Sequence, residues 1–295
     1  MEAWIIFTLL AVVMQSLRTA SQKQVSKRIS VQAATLVRFL FGIKFAALYF
    51  FLVMRLYQPI HIELTSKFII SGALASVSQI LATIFLIKAL TLRNFSVGTA
   101  LAKTEALLTA ILGAIFFSSH LNFWGYFSVF FGVCGLLVAS HWKVTLRDFS
   151  DNQSIRYGIG AGLGFALASL WIRDASLSLE IPLIVSAAAV LFYMVVLQSL
   201  ICLTWISLKE PEQFTKIRNN LGTCLFIGFS GVAGSIGWFT AMSLQNAALV
   251  KTLGQIEFIV SLLITYLYFG EKISRREYLG ILLIALSVLL LIGIT

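Results

Sequence analysis

The sequence of 295 residues is rich in apolar side chains: 59% are hydrophobic, only 12% are charged, and the mean hydropathy is +0.94. The charged share is about half of that typical of soluble domains, so the composition excludes a soluble globular protein. The formal net charge of +10 would suit nucleic-acid binding in a soluble protein. In a membrane chain basic residues set orientation, so no nucleic-acid partner is expected.

Apolar segments that could cross a bilayer recur along the whole chain. A helix needs about 20 residues to span the hydrocarbon layer. Roughly ten such spans are predicted, near residues 3–20, 31–54, 67–87, 95–117, 122–141, 155–173, 182–207, 220–242, 247–269 and 276–294. Backbone polar groups in a membrane need internal partners, which leaves helices or closed barrels. Because these segments lack the alternation of barrel strands, the sequence predicts an all-α membrane protein.

The cysteines, the histidines and the first residues give no sign of a redox, metal or secretory function. The cysteines lie in predicted spans, where packing is expected, and the histidines lack the spacing of metal ligands. These residues are Cys134, Cys202, Cys224, His61, His120 and His141. The first span follows Met1 and Glu2 without a basic segment, which favours a retained helix over a cleaved signal peptide.

Lysine and arginine are concentrated in the loops that follow the odd-numbered predicted spans. Those loops include Arg18, Lys23, Lys27, Arg28, Arg93, Lys143, Arg147, Lys209, Lys216, Arg218, Lys272, Arg275 and Arg276. The other face has little beyond Arg55, Lys67 and Arg173. By the positive-inside rule, the first face is cytoplasmic and both termini lie outside.

The chain contains an internal repeat with an offset of 152 residues. At this offset residues 88–105 align with 240–257, and the alignment matches Asn94 with Asn246 and Glu105 with Glu257. The predicted halves are residues 1–141 and 155–295, each with five spans, joined by a connecting loop at 142–154. Because five is odd, the halves have opposite orientations. Inverted repeats of this kind are typical of transporters that work by alternating access.

The second half resembles the EamA family of the drug/metabolite transporter superfamily. The segment 255–291 has a glutamate at Glu257, a G-E pair at Gly270–Glu271 and a glycine at Gly280, in the order of the family pattern. Arg38–Phe39 is similar to the R-F that family members often carry early in the second span. The resemblance covers nearly the whole chain as two repeats. It implies a ten-span metabolite transporter.

The sequence departs from the family pattern at three positions. Phe258 and Ala106 replace the family's proline, and Ser119 stands where the first repeat would have the glutamate of the G-E pair. Family members often have cytoplasmic termini, whereas the charge bias here places the termini outside. Both orientations, and therefore both directions of transport, stay open at this point.

Charged residues inside the predicted spans are candidates for function, because a charge at mid-membrane costs roughly 2.5 kcal/mol or more. Lys103 and Glu105 are two positions apart, about 200° around a helix, so they face different directions. Lys103 shares a face with Thr99, and these residues align with Gln255 and Lys251. Two unpaired ammonium groups in one cavity would favour an anionic or zwitterionic substrate. The alternative is that each lysine reaches a headgroup or pairs within the bundle.

Glu105 and Glu257 form a second repeat-related set. Burial in an apolar environment disfavours the charged form of a carboxylate, so either residue is a candidate for carrying a coupling proton. The alternative is a structural role, in which each carboxylate accepts hydrogen bonds from a neighbouring helix.

Four further residues are candidates for lining a substrate cavity: Gln79, Arg38, Trp171 and Trp238. Gln79 lies in the stripe Gly72, Ser76, Gln79 and Thr83, where small residues predict close helix packing. The tryptophans lie near span ends, where an interfacial belt is the alternative to a cavity wall.

The sequence contains no nucleotide-binding loop and no catalytic constellation, so neither a cofactor nor an enzymatic activity is expected. It predicts a secondary transporter in a bacterial inner membrane that moves a small polar metabolite, such as an amino acid, with protons as a candidate coupling ion. The resemblance to the EamA family implies outward transport. Two alternatives stay open: uptake or exchange of a larger phosphorylated or nucleotide-derived compound, and a membrane-embedded enzyme acting on lipid.

Overall fold

The computed structural model describes residues 2–58, 60–92, 101–140, 153–260 and 274–294, and the prediction of an all-α membrane protein is confirmed. Twelve helices lie in these ranges: α1 Ala3–Val25, α2 Val31–Leu40, α3 Ile43–Leu56, α4 Ser66–Thr91, α5 Glu105–Phe116, α6 Phe123–Ala139, α7 Gln153–Leu177, α8 Leu183–Lys209, α9 Gln213–Arg218, α10 Leu221–Leu244, α11 Ala247–Leu253 and α12 Arg275–Ile294.

Seven segments of the described chain are long and apolar enough to span a membrane, namely α1, α2 with α3, α4, α7, α8, α10 and α12. The apolar helices α5 and α6 are shorter. The ninth predicted span starts at α11 and continues beyond residue 260, where the chain is not described. Thr99, the pair Gly270–Glu271 and the connecting loop up to residue 152 also lie outside the described residues.

Several helices begin at a side chain that accepts a hydrogen bond from the first turn. Ser30 accepts from the Ala33 amide before α2, Thr65 from Phe68 before α4, and Asn122 from Gly125 before α6. Each bond satisfies a donor that the helix leaves unpaired, which is worth about 1 kcal/mol. These polar caps lie in the short loops and set where each span starts.

Two pairs of packed helices are related to each other by the predicted repeat. Among the helix contacts of the described chain, α1 with α10 and α4 with α7 are two of the three most extensive. With the spans numbered in chain order, these are spans 1 and 8, and spans 3 and 6. Adding five spans to one pair gives the other, so each repeat packs its first span against the third span of the other repeat.

Helix α10 is the most buried of the spanning helices, and its glycines allow close approach. A Cβ at Gly228 would lie 2.6 Å from Cβ of Phe41, at the joint between α2 and α3. Gly234 packs against Met14 of α1, and Gly237 packs against Phe7 and Ala11. The bundle is therefore centred on α10, where glycines let the neighbouring helices approach closely.

Two arginines that the charge count placed in loops lie inside helices. Arg18 is buried in α1. Arg173 in α7 donates through Nη1 to the carbonyl of Met242 at 2.6 Å and also to the carbonyl of Gln245 at the end of α10. Neither side chain is a free loop charge, so neither counts toward the orientation. The prediction that used them as loop residues was wrong because α1 continues to Val25 and α7 to Leu177, past the predicted span ends at residues 20 and 173.

Candidate substrate and coupling site

The chain breaks its helical path just before each of the two repeat-related glutamates. In the first repeat residues 101–102 are helical, a turn follows at 103–104, and α5 begins at Glu105. In the second repeat α11 ends at Leu253, a turn follows at 254–255, and residues 256–260 are helical again. Discontinuous helices of this kind bring polar groups and helix ends into the interior of transporters. These breaks were not predicted from the sequence.

Two lysine–glutamate pairs connect the repeats at these breaks. Lys103 Nζ donates to Glu257 Oε2, and Lys251 Nζ lies 3.6 Å from Glu105 Oε1. Each lysine therefore pairs with the glutamate of the other repeat. One interpretation of the sequence required two unpaired ammonium groups, but both lysines are paired in the structure. The structure matches the alternative, in which the lysines pair within the bundle.

Gln15 and Trp238 link the two ion pairs into one network. Gln15 Nε2 donates to Glu257 Oε2 at 2.9 Å, and Trp238 Nε1 donates to Gln15 Oε1 at 2.9 Å. Lys251 Nζ lies 4.2 Å from the centroid of the Trp238 ring, a cation–π contact. Gln15 was not among the residues predicted from the sequence. A polar side chain inside the first apolar span was the signal that could have identified it.

Trp238 fits over Lys251 because residue 254 has no side chain. A Cβ at Gly254 would overlap the Trp238 ring. The tryptophan is buried and packs in the bundle core rather than in an interfacial belt. Of its two predicted roles, the structure therefore excludes the belt and leaves the cavity wall as a proposal.

The remaining candidates lie outside the network. Gln79 accepts a hydrogen bond from Gln198 Nε2 at 2.8 Å, which connects α4 to α8. Trp171 makes an edge contact with Phe117, with ring centroids 4.7 Å apart. Gln255 is buried beside Gly132 of α6, and its amide atoms have no hydrogen-bond partner among the described residues.

Arg38 lies deep in the bundle, apart from the lysine–glutamate pairs. Its Nη1 donates to Thr83 Oγ1 at 2.8 Å, which connects α2 to α4. The structure thus brings together Lys103, Lys251, Glu105, Glu257 and Trp238. Among the described residues, no hydrogen bond or ion pair joins Gln79, Trp171 or Gln255 to these five side chains, and Thr99 lies outside those residues.

A family model described as the EamA-like transporter family matches residues 2–141 and 154–293. The chain belongs to the EamA-like transporter family. The resemblance predicted from Glu257, Gly270–Glu271 and Arg38–Phe39 is therefore confirmed, and the protein is a multi-pass membrane transporter of the drug/metabolite superfamily.

A curated relative and a solved structure are similar to this EamA protein. An "Uncharacterized transporter in cobO 3'region" from Sinorhizobium sp is 35% identical over 72 residues, which is 23% of this chain and 51% of the relative. The match thus spans about half the length of that relative. One crystal structure, described only as "protein", aligns over 98% of this chain and 96% of its own, with a TM-score of 0.69 and 12% identity. At that identity the likeness shows the fold alone.

Proposed function

We propose that this EamA protein is a secondary active transporter that moves a small polar metabolite with a negatively charged group, such as an amino acid or a related compound, by alternating access. The observation that carries the proposal is the pair of buried lysine–glutamate contacts that connect the two repeats at broken helices. We further propose that the protein works in a bacterial inner membrane. Resemblance to its family favours export.

The two ion pairs supply a physical basis for alternation. Separating a buried ion pair costs about 3–5 kcal/mol if one charge is left without a partner. A substrate carboxylate that replaces Glu257 at Lys103, or Glu105 at Lys251, offsets this cost. Opening of either side of the bundle thus depends on an occupant of matching charge, which couples binding to the conformational change.

A proton is a second means of releasing each pair. Protonation of Glu105 or Glu257 removes the negative charge that holds the lysine and leaves that lysine available to an anionic substrate. In this mechanism the proton and the anionic substrate are bound to the same pair together, so a proton gradient drives the substrate in the same direction as the proton.

Ligand-induced thermal stabilisation of the purified full-length protein tests the substrate class, because binding to the native state raises Tm. The panel contains amino acids, organic anions, phosphorylated metabolites and cationic amphiphiles. We expect anionic or zwitterionic compounds to raise the Tm of the wild type, and the Lys103→Gln/Lys251→Gln variant to lose the increase. Lys67→Gln, which removes an exposed lysine, is the control. Equal stabilisation of all three proteins by cationic amphiphiles would contradict the proposal.

Transport in proteoliposomes at different pH values tests the proton mechanism. We expect Glu105→Gln/Glu257→Gln to remove the pH dependence of substrate transport, whereas Glu63→Gln, a change at an exposed position, leaves it unchanged. A pH dependence that survives in the double variant would exclude both glutamates as the proton carriers.

A further inference from the structure

Arg18 and Arg38 are both buried in the bundle, although each carries a charge at all relevant pH values. Arg18 is 2% exposed and Arg38 is 4% exposed. A buried charge is stable only where paired charges or several hydrogen bonds compensate it. The compensation available to these two side chains therefore decides what they do.

The two arginines lie on the same side of α10, at Gly231. A Cβ at Gly231 would lie 3.1 Å from Cγ of Arg38 and 3.7 Å from Cδ of Arg18. The missing side chain at this position leaves room for both aliphatic stems. The stems of the two arginines are thus held near each other by three helices, α1, α2 and α10, and Arg18 acts electrostatically on Arg38.

The hydrogen bonds of these arginines are few. Arg38 donates to the hydroxyl of Thr83, and that hydroxyl is itself bonded to the carbonyl of Gln79. Arg18 Nε is buried and has no hydrogen-bond partner among the described residues. Of the ion pairs found in the described part of the chain, none includes either arginine. Neutral oxygen from one threonine does not balance two guanidinium charges.

Nearby carboxylates do not supply the missing charge. Glu257 and Glu105 act on Arg18 electrostatically, but each of them is already paired with a lysine. Four cationic side chains among the described residues, Lys103, Lys251, Arg18 and Arg38, therefore stand against the two carboxylates Glu105 and Glu257. The excess of positive charge lies at the arginines.

Arg173 shows what a structural arginine looks like in this fold. Its segment RDAS resembles RTAS at Arg18 at an offset of 155 residues, slightly different from the 152 of the main repeat. Arg173 donates to carbonyls at the end of α10. Its guanidinium is compensated by backbone oxygens from its own chain. Arg18 has no such acceptors among the described residues, so its position in the repeat does not account for its burial.

We propose that Arg18 and Arg38 form an anion-binding site that takes a carboxylate or phosphate group of a soluble guest. A guanidinium presents paired donors that match two oxygens of either group, and an anion between the two arginines would supply the partner that Arg18 Nε lacks. The inference rests on the proposed transport function, in which the guest is the substrate. It adds a second contact region for the negative group, distinct from the lysine–glutamate pairs.

Anion-dependent stabilisation of the purified full-length protein tests the site. The probes are inorganic phosphate and succinate, titrated at constant ionic strength against chloride. We expect both or one to raise the Tm of the wild type, and Arg18→Gln to weaken the apparent affinity about tenfold or more, as expected for loss of a charged hydrogen bond. Arg55→Gln, which removes an exposed arginine, is the matched control and keeps the wild-type affinity.

The Tm measured without phosphate or succinate distinguishes a binding role of Arg18 from a structural role. If Arg18 is an uncompensated charge that waits for a guest, Arg18→Gln keeps or raises the Tm in chloride. If Arg18 is structural, the same change lowers the Tm, and that result overturns the proposal. Gly231→Ala is a second variant, because it crowds both stems and keeps both charges, and it is expected to weaken anion binding in the same direction.

The remaining outcomes are also decisive. Equal stabilisation of wild type and Arg18→Gln by phosphate and succinate would place the anion elsewhere and overturn the site, while lysine-dependent substrate binding, measured separately, would leave the transport proposal intact. Stabilisation by phosphatidylglycerol alone, lost in Arg18→Gln, would assign the arginines to a lipid phosphate and overturn the assignment to a soluble guest.

Discussion

The two cross-repeat ion pairs consist of the same residue types but have different surroundings. The side chain of Lys103 is 25% exposed and that of its partner Glu257 is 9% exposed. The side chain of Lys251 is only 7% exposed, and its partner Glu105 is 10% exposed. Trp238 covers Lys251, whereas Glu257 in the other pair receives the amide of Gln15.

This difference shows that repeat-related residues do not have equal solvent exposure in a single conformation of the protein. Alternating access in an inverted repeat requires the two halves to adopt different conformations at any one time and to exchange them. In the proposed mechanism, the more exposed pair is the one nearer to an opening, and the covered pair is the one on the closed side. On this interpretation, changes at the two pairs have unequal effects on stability.

The largest effect is expected when the covered pair loses its carboxylate. Glu105→Gln leaves Lys251 buried without an anionic partner, which should lower the free energy of unfolding by about 3 kcal/mol or more. Glu257→Gln is the matched change at the other pair. It should cost less, because Lys103 is partly solvated. Unfolding in mixed detergent micelles measures both.

A double variant tests whether the loss of stability comes from the unpaired charge of Lys251 or from the missing carboxylate itself. In Glu105→Gln/Lys251→Gln both charges are gone, so part of the stability lost in Glu105→Gln should return. If Glu105→Gln and Glu257→Gln lose the same free energy of unfolding, the covered pair does not contribute more to stability than the exposed pair.

The sequence was sufficient to predict the all-α membrane fold and to identify the charged residues that form the two ion pairs. Composition and span length predict helices in a membrane, and the 152-residue offset identifies Glu105 and Glu257 as related positions. The prediction of membrane helices and the prediction of related glutamates both depend on features that repeat along the chain. The helix contacts of α1 with α10 and of α4 with α7 follow the same repeat.

The partners of the charged residues were not predictable from the sequence. Periodicity places Lys103 and Glu105 on different faces of one helix, but it does not say that each meets a residue of the other repeat. That pairing depends on the turns at 103–104 and 254–255, and no proline marks either turn. Arg18 shows the same limit, because its proximity to Arg38 arises from close packing at Gly231.

An intermediate effect is expected when the cover over Lys251 is displaced. Gly254→Ala places a methyl group in the space of the Trp238 ring, and overpacking of this kind costs about 1–3 kcal/mol. It should also make Lys251 more accessible, so that the two pairs become more alike. Tryptophan fluorescence and the free energy of unfolding measure the two consequences.

Gly222→Ala in α10 is the control for that change. A Cβ at Gly222 meets no atom within 4 Å, and alanine is the better helix former, so its stability should stay the same or rise by up to about 1 kcal/mol. If Gly254→Ala is as stable as Gly222→Ala, Trp238 does not depend on the space at residue 254.

The smallest effect is expected at an ion pair on the surface of the bundle. Lys67 Nζ lies 2.9 Å from Asp174 Oδ1, a shorter distance than the 3.6 Å between Lys251 and Glu105. The side chain of Lys67 is 62% exposed, however, and solvent screens such a pair to about 0–1 kcal/mol. Lys67→Gln should therefore change the free energy of unfolding by less than any of the buried changes, and added salt should reduce even that difference. A loss as large as that of Glu105→Gln would mean that distance, rather than burial, determines the strength of these pairs.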